Sequence, residues 1–331
     1  MKRKCLAIGI ILLFVGTGII PATAQDIEKP LPTSRGDWLY VGGIGPNNYT
    51  KIQDAIDNAS DGDIIYVYND SSPYHEHINI TKSIDLWGED KNTTIIDGYN
   101  NNYPVIYIQT TGNLSIHGFT IMNSSIGIFQ GSEYIPTEVY IHDDILTKLQ
   151  TGLMLNGMGT TGIRRDIQRN EIKENEIGMD IVQGIMNGGI SENRISNNSI
   201  GIKFYHASFL SIEFNIITNN SKGIYLEASQ SLIIYKNSFI NNYYGVYLEN
   251  KSITNEITQN DFIKNSWNRH AFFNKCAKNK WDRNYWDNWI GLKSPLFSWL
   301  PYIIMGRYGP LPWFNFDWYP AGQPYNISLP W

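Results

Sequence analysis

Two groups of polar side chains in this sequence are of types that bind or transform ligands. The first group is His117, His142 and Asp143. Imidazole nitrogens beside a carboxylate suit Cu(II) or Zn(II), so this group is a candidate metal site. His117 and His142 lie far apart along the chain, and only a fold that brings distant segments together can join them.

The second group combines two tyrosines with two glutamates, namely Tyr225, Tyr247, Glu227 and Glu249. Aromatic rings supply apolar contact to the face of a sugar, and carboxylates accept hydrogen bonds from its hydroxyl groups. The group therefore predicts a glycan-binding surface. Two carboxylates about 5 Å apart also match the separation of the acid pair in a retaining glycosidase, so a catalytic use stays open.

Both groups fall within a repeat that runs from Ile116 to Trp286 with a period of 22 to 26 residues. Each repeat has an anchor residue, and the anchors are Phe119, Asp144, Asn170, Asn193, Asn215, Asn237, Asn260 and Asn284. A large apolar residue, usually isoleucine, stands three residues before each anchor. A glycine stands eight residues after most anchors, followed by apolar residues at nine and eleven. This pattern is typical of a solenoid whose coils stack.

The repeat has a direct physical interpretation. Apolar residues at nine and eleven flank a polar one, which predicts a strand with one inward face. Stacking equivalent strands about 4.8 Å apart places each isoleucine over the next. The glycine column fits a position that needs positive φ or close approach. The asparagine column fits a tight turn whose amides hydrogen-bond along the stack. The sequence therefore predicts an all-β parallel β-helix.

This register brings the members of each candidate group together. His117 and His142 each stand two residues before an anchor, so we expect them side by side on adjacent coils, with Asp143 next to them. The tyrosines of the second group stand ten residues after their anchors and the glutamates twelve. All four are therefore expected to point outward on neighbouring coils, outside the core.

The two ends of the repeat differ in composition from its middle. Thr50 and Gln53 form a capping box, followed by apolar residues on one helical face and a stop at Gly62. A short helix there is expected to cover the open end of the stack, as terminal caps must. The Pro-rich, aromatic segment 291–331 is expected to fold back as a cap over the other end.

The first residues indicate export. Residues 1–24 have a basic start, an apolar run and an Ala-Thr-Ala ending, which together are typical of a secretory signal peptide. We expect a linker at 25–45, the β-helix with its N-terminal cap at 46–290 and the tail at 291–331. The chain is predicted to be secreted or held at the cell surface. Membrane contact is expected only through an uncleaved signal sequence.

Composition limits the partners. The formal net charge is −5, and removing the three basic residues of the signal peptide gives −5 − 3 = −8. An acidic chain is unsuited to nucleic acid, because phosphate contacts need a basic surface. Eleven Asn-x-Ser/Thr sequons leave N-glycosylation as an expectation.

Several segments carry a resemblance to known proteins. The stretches YTKIQDAIDNASDGDIIYVY, YHEHINITKSIDLWGE and TTIIDG resemble the opening of the pectin-lyase-like superfamily. The stretch NKWDRNYWDNW is similar to the closing coil of NosD-type, or periplasmic copper-binding, β-helix proteins, many of them archaeal surface proteins. The likeness covers about residues 40 to 290. It implies a right-handed parallel β-helix, and the family name implies copper.

Together these features favour a non-catalytic protein that binds polysaccharide or other envelope components. Two alternatives belong to other classes: a carbohydrate-active enzyme of the polysaccharide lyase or glycoside hydrolase type, and a copper-binding accessory protein. No residue is assigned as catalytic. No cofactor is expected from the residues themselves, and copper and calcium are the metal ions that stay open.

Overall fold

The computed structural model describes residues 36–133, 136–157, 164–183, 187–266, 269–289 and 300–331. The predicted signal peptide and the first part of the predicted linker, 1–35, lie outside the described residues. Within the described residues the chain forms 28 strands and one short helix. They build a parallel β-helix of about ten turns, which confirms the predicted fold.

The elements are numbered in chain order. They are β1 (Trp38–Val41), α1 (Ile52–Asn58), β2 (Ile64–Val67), β3 (Ile78–Ile80), β4 (Asp85–Gly88), β5 (Ile95–Ile108), β6 (Leu114–His117), β7 (Thr120–Gln130), β8 (Glu138–His142), β9 (Ile145–Asn156), β10 (Arg164–Gln168), β11 (Glu171–Lys173), β12 (Ile177–Val182), β13 (Asn187–Ser191), β14 (Arg194–Ser196), β15 (Ile200–Tyr205), β16 (Ser211–Glu213), β17 (Ile216–Thr218), β18 (Lys222–Glu227), β19 (Ile233–Tyr235), β20 (Ser238–Ile240), β21 (Tyr244–Glu249), β22 (Glu256–Thr258), β23 (Asp261–Ile263), β24 (Ala271–Asn274), β25 (Lys280–Asp282), β26 (Tyr285–Trp286), β27 (Tyr302–Tyr308) and β28 (Leu311–Asp317).

Three stacks of parallel strands form the three faces of the solenoid. Face A stacks β1, β2, β4, β6, β8, β10, β13, β16, β19, β22, β25 and β28. Face B stacks β5, β7, β9, β11, β14, β17, β20, β23 and β26. Face C stacks β3, β5, β7, β9, β12, β15, β18, β21, β24 and β27. The long strands β5, β7 and β9 turn the corner between faces B and C. Because β1 lies at residues 38–41, the solenoid begins within the predicted linker.

The predicted isoleucine column lines the inside of face A. Ile190, Ile212 and Ile234 are paired in register on successive coils, and all three are fully buried. Burying such a side chain contributes about 1.5–3 kcal/mol. A coil exposes this apolar surface unless another coil lies above and below it, so stacking is what stabilises the fold.

The glycine column lets adjacent coils approach closely and does not supply positive φ. A Cβ on Gly201 would lie 2.5 Å from the carbonyl oxygen of Gly223 on the next coil. Positive φ occurs instead at the residue before each anchor, such as Asp143, Arg169 and Glu192. These residues make the corner between faces A and B. The prediction that the glycine column needs positive φ is therefore wrong, and the prediction that it needs close approach is confirmed.

The anchor asparagines form a ladder of hydrogen bonds along that corner. The amide Nδ2 of Asn215 donates to Oδ1 of Asn237 (2.9 Å) and to the carbonyl of Ile190 (2.8 Å). The backbone nitrogen of Asn215 also donates to Asn237 Oδ1. Each asparagine therefore ties three coils. The sequence reasoning missed a second ladder five residues after the anchors, which runs through Asn175, Asn198, Asn220, Asn242 and Asn265.

The helix α1 covers the first coil, but the predicted capping box is wrong. Its N-cap residue is Lys51, without a side-chain cap bond, and the helix ends at Asn58, before Gly62. The carboxylate of Glu76 accepts hydrogen bonds from the backbone nitrogens of Ile52 and Gln53, at 2.9 and 3.0 Å. A residue of the following coil thus satisfies the free donors of the helix terminus, which short-range sequence patterns do not reveal.

Residues 291–299 of the predicted tail lie outside the described residues, and the part at 300–331 packs against the last coil. The strands β27 and β28 form an antiparallel hairpin that adds to faces C and A. The carboxylate of Asp317 accepts hydrogen bonds from Asn284 and from the indole of Trp286. No helix among the described residues is long and apolar enough to cross a membrane.

Candidate functional site

The tyrosine and glutamate group lies on the outer surface of face C. Tyr225 is paired with Tyr247, and Glu227 is paired with Glu249, on strands β18 and β21. The predicted adjacency of the four residues is confirmed. Their backbone positions follow from the repeat, because the flanking residues at nine and eleven after each anchor fill the core.

A hydrogen-bond network joins the two glutamates. The hydroxyl of Tyr225 lies 2.8 Å from Glu249 Oε2 and 3.2 Å from Glu227 Oε2. The amide of Asn250 donates to Glu227, and that of Asn274 donates to Glu249. Burial, together with the two carboxylates, holds the pKa of Tyr225 well above its usual range. Tyr225 is therefore a hydrogen-bond donor at neutral pH and not a base.

Tyr225 is covered, which corrects the expectation that both tyrosines lie free on the surface. The ammonium of Lys222 sits 4.0 Å from the centre of the Tyr225 ring and 4.6 Å from that of Tyr247. Only 8% of Tyr225 is exposed. Burial lowers the pKa of Lys222, while Glu249 and Glu227 oppose that shift. Because so little of its ring reaches the surface, Tyr225 supports the surface and offers little ring area to a ligand.

Other rings, which the sequence reasoning missed, provide the accessible aromatic surface. We call Tyr243, Tyr244, Tyr247 and Phe272 the aromatic platform. Its neighbouring ring centres lie 4.9 to 5.9 Å apart. Tyr243 is 46% exposed, and the guanidinium of Arg269 lies 4.1 Å from its ring.

The register of the last coils explains why these rings were missed. Phe272 pairs with Tyr247 across β21 and β24, although it stands twelve residues after its anchor and Tyr247 stands ten after its own. Two extra residues in that coil hid the equivalence. Tyr244 stands directly before the glycine column, where the preceding coil has Lys222. The outward position of Tyr244 was the sequence feature that could have indicated the platform.

The predicted metal group lies on the outer surface of face A. The rings of His117 and His142 are stacked, with centres 4.6 Å apart and planes 13° from parallel. His117 Nε2 lies 3.1 Å from Asp85, and His142 Nδ1 lies 2.8 Å from Asp143. The predicted side-by-side placement is confirmed.

The hydrogen bonds of this group do not favour a metal ion. Burial lowers the pKa of His142, which favours the neutral imidazole that metals bind, but its Nδ1 is already bonded to Asp143. Asp143 also binds Arg169 at 2.7 Å. Burial alone would raise the pKa of Asp143, but its bonds to His142 and Arg169 hold it well below the usual range. In the part of the chain that the structure describes, no three or more His, Cys, Asp or Glu residues are arranged to hold a metal ion. The three residues are thus adjacent without fitting a copper or calcium site.

The two histidines end a longer row of rings on face A. Tyr40, Tyr66 and Trp87 precede them in register on the first three coils. Trp87 lies 5.2 Å from His117, and Tyr66 lies 5.5 Å from Trp87. These three rings precede the regular repeat, which begins at Ile116, so the repeat did not predict this row. Stacking along the row accounts for the histidine pair without a metal.

Residues 56–291 match the profile of the family described as periplasmic copper-binding protein (NosD). No curated protein matches the chain.

Several solved structures are similar to the chain. The complex of XylC with xylose has a TM-score of 0.52 at 12% identity, covering 75% of this chain and 71% of that one. The mannuronan C-5 epimerase AlgE4 A-module of Azotobacter vinelandii has a TM-score of 0.47 at 15% identity, covering 70% and 89%. The PL6 family alginate lyase AlyGC has a TM-score of 0.43 at 13% identity, covering 72% and 40%. At such identities the likeness concerns the fold alone.

Proposed function

Because the chain belongs to the family described as periplasmic copper-binding protein (NosD), we propose that it acts outside the cytoplasm. We also propose that it binds glycan through face C. The proposed ligand is a polysaccharide or another carbohydrate component of the cell envelope. The proposed binding surface is the aromatic platform together with the neighbouring carboxylates of Glu227 and Glu249.

The observation that carries the proposal is the combination of ring faces and hydrogen-bonding groups on one surface. Tyr247 and Phe272 lie next to each other, with ring centres 5.3 Å apart, and both side chains are half-buried. Glu249 is two residues from Tyr247, so its carboxylate lies at the edge of the rings. Ring faces contact the apolar side of a sugar, while carboxylates and amides bond its hydroxyl groups.

The shape of the surface suits an elongated ligand. The platform crosses β21 and β24, and the glutamates continue it onto β18. Strands of adjacent coils lie about 4.8 Å apart, so three coils span about 10 Å along the axis. A chain of sugar rings lying along the solenoid axis would contact several of these side chains at once.

The network around the glutamates suits a binding surface. Glu227 bonds Tyr225 and Asn250, and Glu249 bonds Tyr225 and Asn274. Such bonds fix the carboxylates in place, as a preorganised binding surface requires. A polysaccharide lyase or glycoside hydrolase activity is the rival proposal. It predicts turnover of a polysaccharide that is lost in Glu227→Gln, whereas a binding protein shows no turnover in either form.

A copper-binding accessory role is the second candidate, and the family description favours it. It ranks below glycan binding because Asp143 is bonded to Arg169 and His142. The role predicts stoichiometric Cu(II) uptake that is lost in His117→Ala. Uptake that is absent, or equal in the two proteins, would remove it.

The test of the glycan proposal is a double substitution on the platform. A glycan array with the wild-type protein identifies a ligand, and calorimetry then measures its affinity. Tyr247→Ala with Phe272→Ala should weaken binding about fivefold or more, because each lost ring contact is worth about 0.5–1.5 kcal/mol.

The matched control is Phe214→Ala, which removes a partly exposed ring at the corner between faces A and B. It should leave affinity unchanged. Equal affinity of the platform variant and the wild type, or the absence of any glycan ligand, would contradict the proposal.

A further inference from the structure

The last 32 residues expose an unusual amount of apolar surface. Among the described residues, 22 large hydrophobic side chains are exposed, and eleven of them lie between 300 and 331. This segment caps the solenoid through Ile304 and Asp317, which are buried. The eleven exposed side chains are not part of the core, so capping does not account for them.

The hairpin of β27 and β28 carries most of this surface. Ile303 is paired with Phe316, and Met305 is paired with Phe314. Residues paired across antiparallel strands share a face, so these four form one apolar face, and all four are exposed.

The tip of the hairpin is exposed on its other face as well. Tyr308 is paired with Leu311, and Trp313 follows on the same face, where Ile304 is buried nearer the core. Tyr308, Leu311 and Trp313 are all exposed. The tip of the hairpin therefore carries apolar side chains on both faces.

The segment is also nearly uncharged. Residues 300–331 contain only two charged side chains, Arg307 and Asp317. Asp317 is buried and bonded to Asn284 and Trp286, so Arg307 is the single exposed side-chain charge. By contrast, 57 of the 331 residues in the chain are charged, from 26 Lys and Arg plus 31 Asp and Glu.

We propose that the tip of this hairpin enters the interfacial layer of a lipid bilayer. Tryptophan and tyrosine concentrate at that layer, where an apolar ring meets polar head groups. The two strands bond each other but, among the described residues, leave the outer backbone groups of the tip unpaired, so the tip is placed in the hydrated interfacial layer and not in the hydrocarbon. Arg307 is placed to meet a lipid phosphate.

Exposure on both faces of the hairpin favours a lipid bilayer over a second copy of the chain as its partner. A flat interface between two copies would cover one face of the hairpin and leave the other in water. A bilayer surrounds the inserted tip, so both faces are removed from water together. Arg307 is the single exposed side-chain charge on the two faces, and so low a charge fits that surrounding.

A local fluorescent reporter tests the proposal in the full chain. Leu311→Cys is labelled with an environment-sensitive dye in a background of Cys5→Ser, where the remaining Cys276 is buried. Phe209→Cys is the matched control on the side of the solenoid, since Phe209 is 61% exposed and Leu311 is 64% exposed. Vesicles of phosphatidylcholine, with or without phosphatidylglycerol, are then added.

The dye at residue 311 should brighten about twofold or more and shift to the blue, while the dye at 209 stays unchanged. Adding Trp313→Ser and Phe314→Ser should raise the lipid concentration for half-maximal response about tenfold, because apolar area is lost. Phe209→Ser in the Leu311→Cys protein should leave that concentration unchanged.

Three outcomes would overturn the proposal. The first is no change at residue 311, which is what anchoring through residues 1–24 alone would give. The second is an equal change at 311 and 209. The third is a change at 311 that follows protein concentration without vesicles, which would assign the hairpin to a second copy.

Discussion

At the scale of single residues, the two ends of the first asparagine ladder are carboxyl groups. Asp317 ends the ladder as an acceptor, with bonds from Asn284 and Trp286. Asp144 begins it and is fully buried. Its Oδ1 accepts from the backbone of Phe119, and its Oδ2 is buried without a hydrogen-bond partner among the described residues. Burial raises the pKa of Asp144 well above 3.8.

The raised pKa of Asp144 predicts how stability depends on pH. A carboxyl whose pKa is higher in the folded state stabilises the fold below its unfolded pKa of 3.8. That stability is lost as pH rises through the folded pKa. Asp144→Asn has no carboxyl group to ionise, so this variant does not lose that stability as pH rises. It also places an amide at the first position of the ladder. The variant should therefore gain about 1–3 kcal/mol over the wild type at neutral pH. The gain should shrink toward pH 4, as measured by thermal unfolding across pH.

The neighbouring aspartate supplies a control of opposite sign. The pKa of Asp143 is held low by His142 and Arg169. Its charged form therefore stabilises the fold above pH 3.8, and that stability is lost as pH falls. Asp143→Asn should be less stable than the wild type at neutral pH and should match it in strong acid. If both variants shift stability in the same direction, the assignment of these two charges is wrong.

At the scale of the strand, inward and outward positions must respond differently to the same change. Ile212 is buried between Ile190 and Ile234, so Ile212→Asp should cost several kcal/mol or prevent folding. Ile233 lies on the next coil of face A but is 47% exposed. Ile233→Asp should therefore stay within about 0.5–1 kcal/mol of the wild type. Chemical unfolding measures both, and equal costs would refute the register of face A.

At the scale of the whole molecule, the chain end crosses coils that do not otherwise touch. Past the hairpin, Ala321 donates to the carbonyl of Asn284, and the backbone nitrogen of Tyr325 donates to Asp261. The indole of Trp331 donates to the carbonyl of Glu192, and the Lys91 ammonium lies 4.3 Å from its ring. We call residues 319–331 the strap. Solenoid coils contact only their neighbours, so the strap adds links between distant coils.

Removing the strap should lower the cooperativity of unfolding. A chain that stops at Trp318 keeps the hairpin cap and every coil, and it loses only the links along the corner. We expect a broader thermal transition, with a calorimetric enthalpy larger than the van't Hoff enthalpy. Trp331→Ala, which removes only the last link, should fall between the truncated and complete chains. An unchanged width in the truncated chain would show that the strap carries no coupling.

The sequence by itself determined the coil. The isoleucine, glycine and asparagine columns each recur at a fixed place, and each residue meets its own equivalent on the next coil. The period of the repeat therefore predicted the inner packing. It also predicted that Tyr225 pairs with Tyr247 and that the two histidines lie side by side. The repeat could be used this way because burial leaves few choices of residue type at inward positions.

Only the tertiary structure decided what happens where the repeat is broken or faces water. The lysine over Tyr225 depends on how one flexible side chain lies across the surface. The place of Phe272 depends on two extra residues in its coil, and the cap from Glu76 joins segments with no repeat relation. The opposite pKa shifts of Asp143 and Asp144 depend on burial and on distant partners. These contacts are not periodic, and water or a neighbouring side chain can satisfy an outward polar group equally well. Side-chain type and spacing therefore do not fix them.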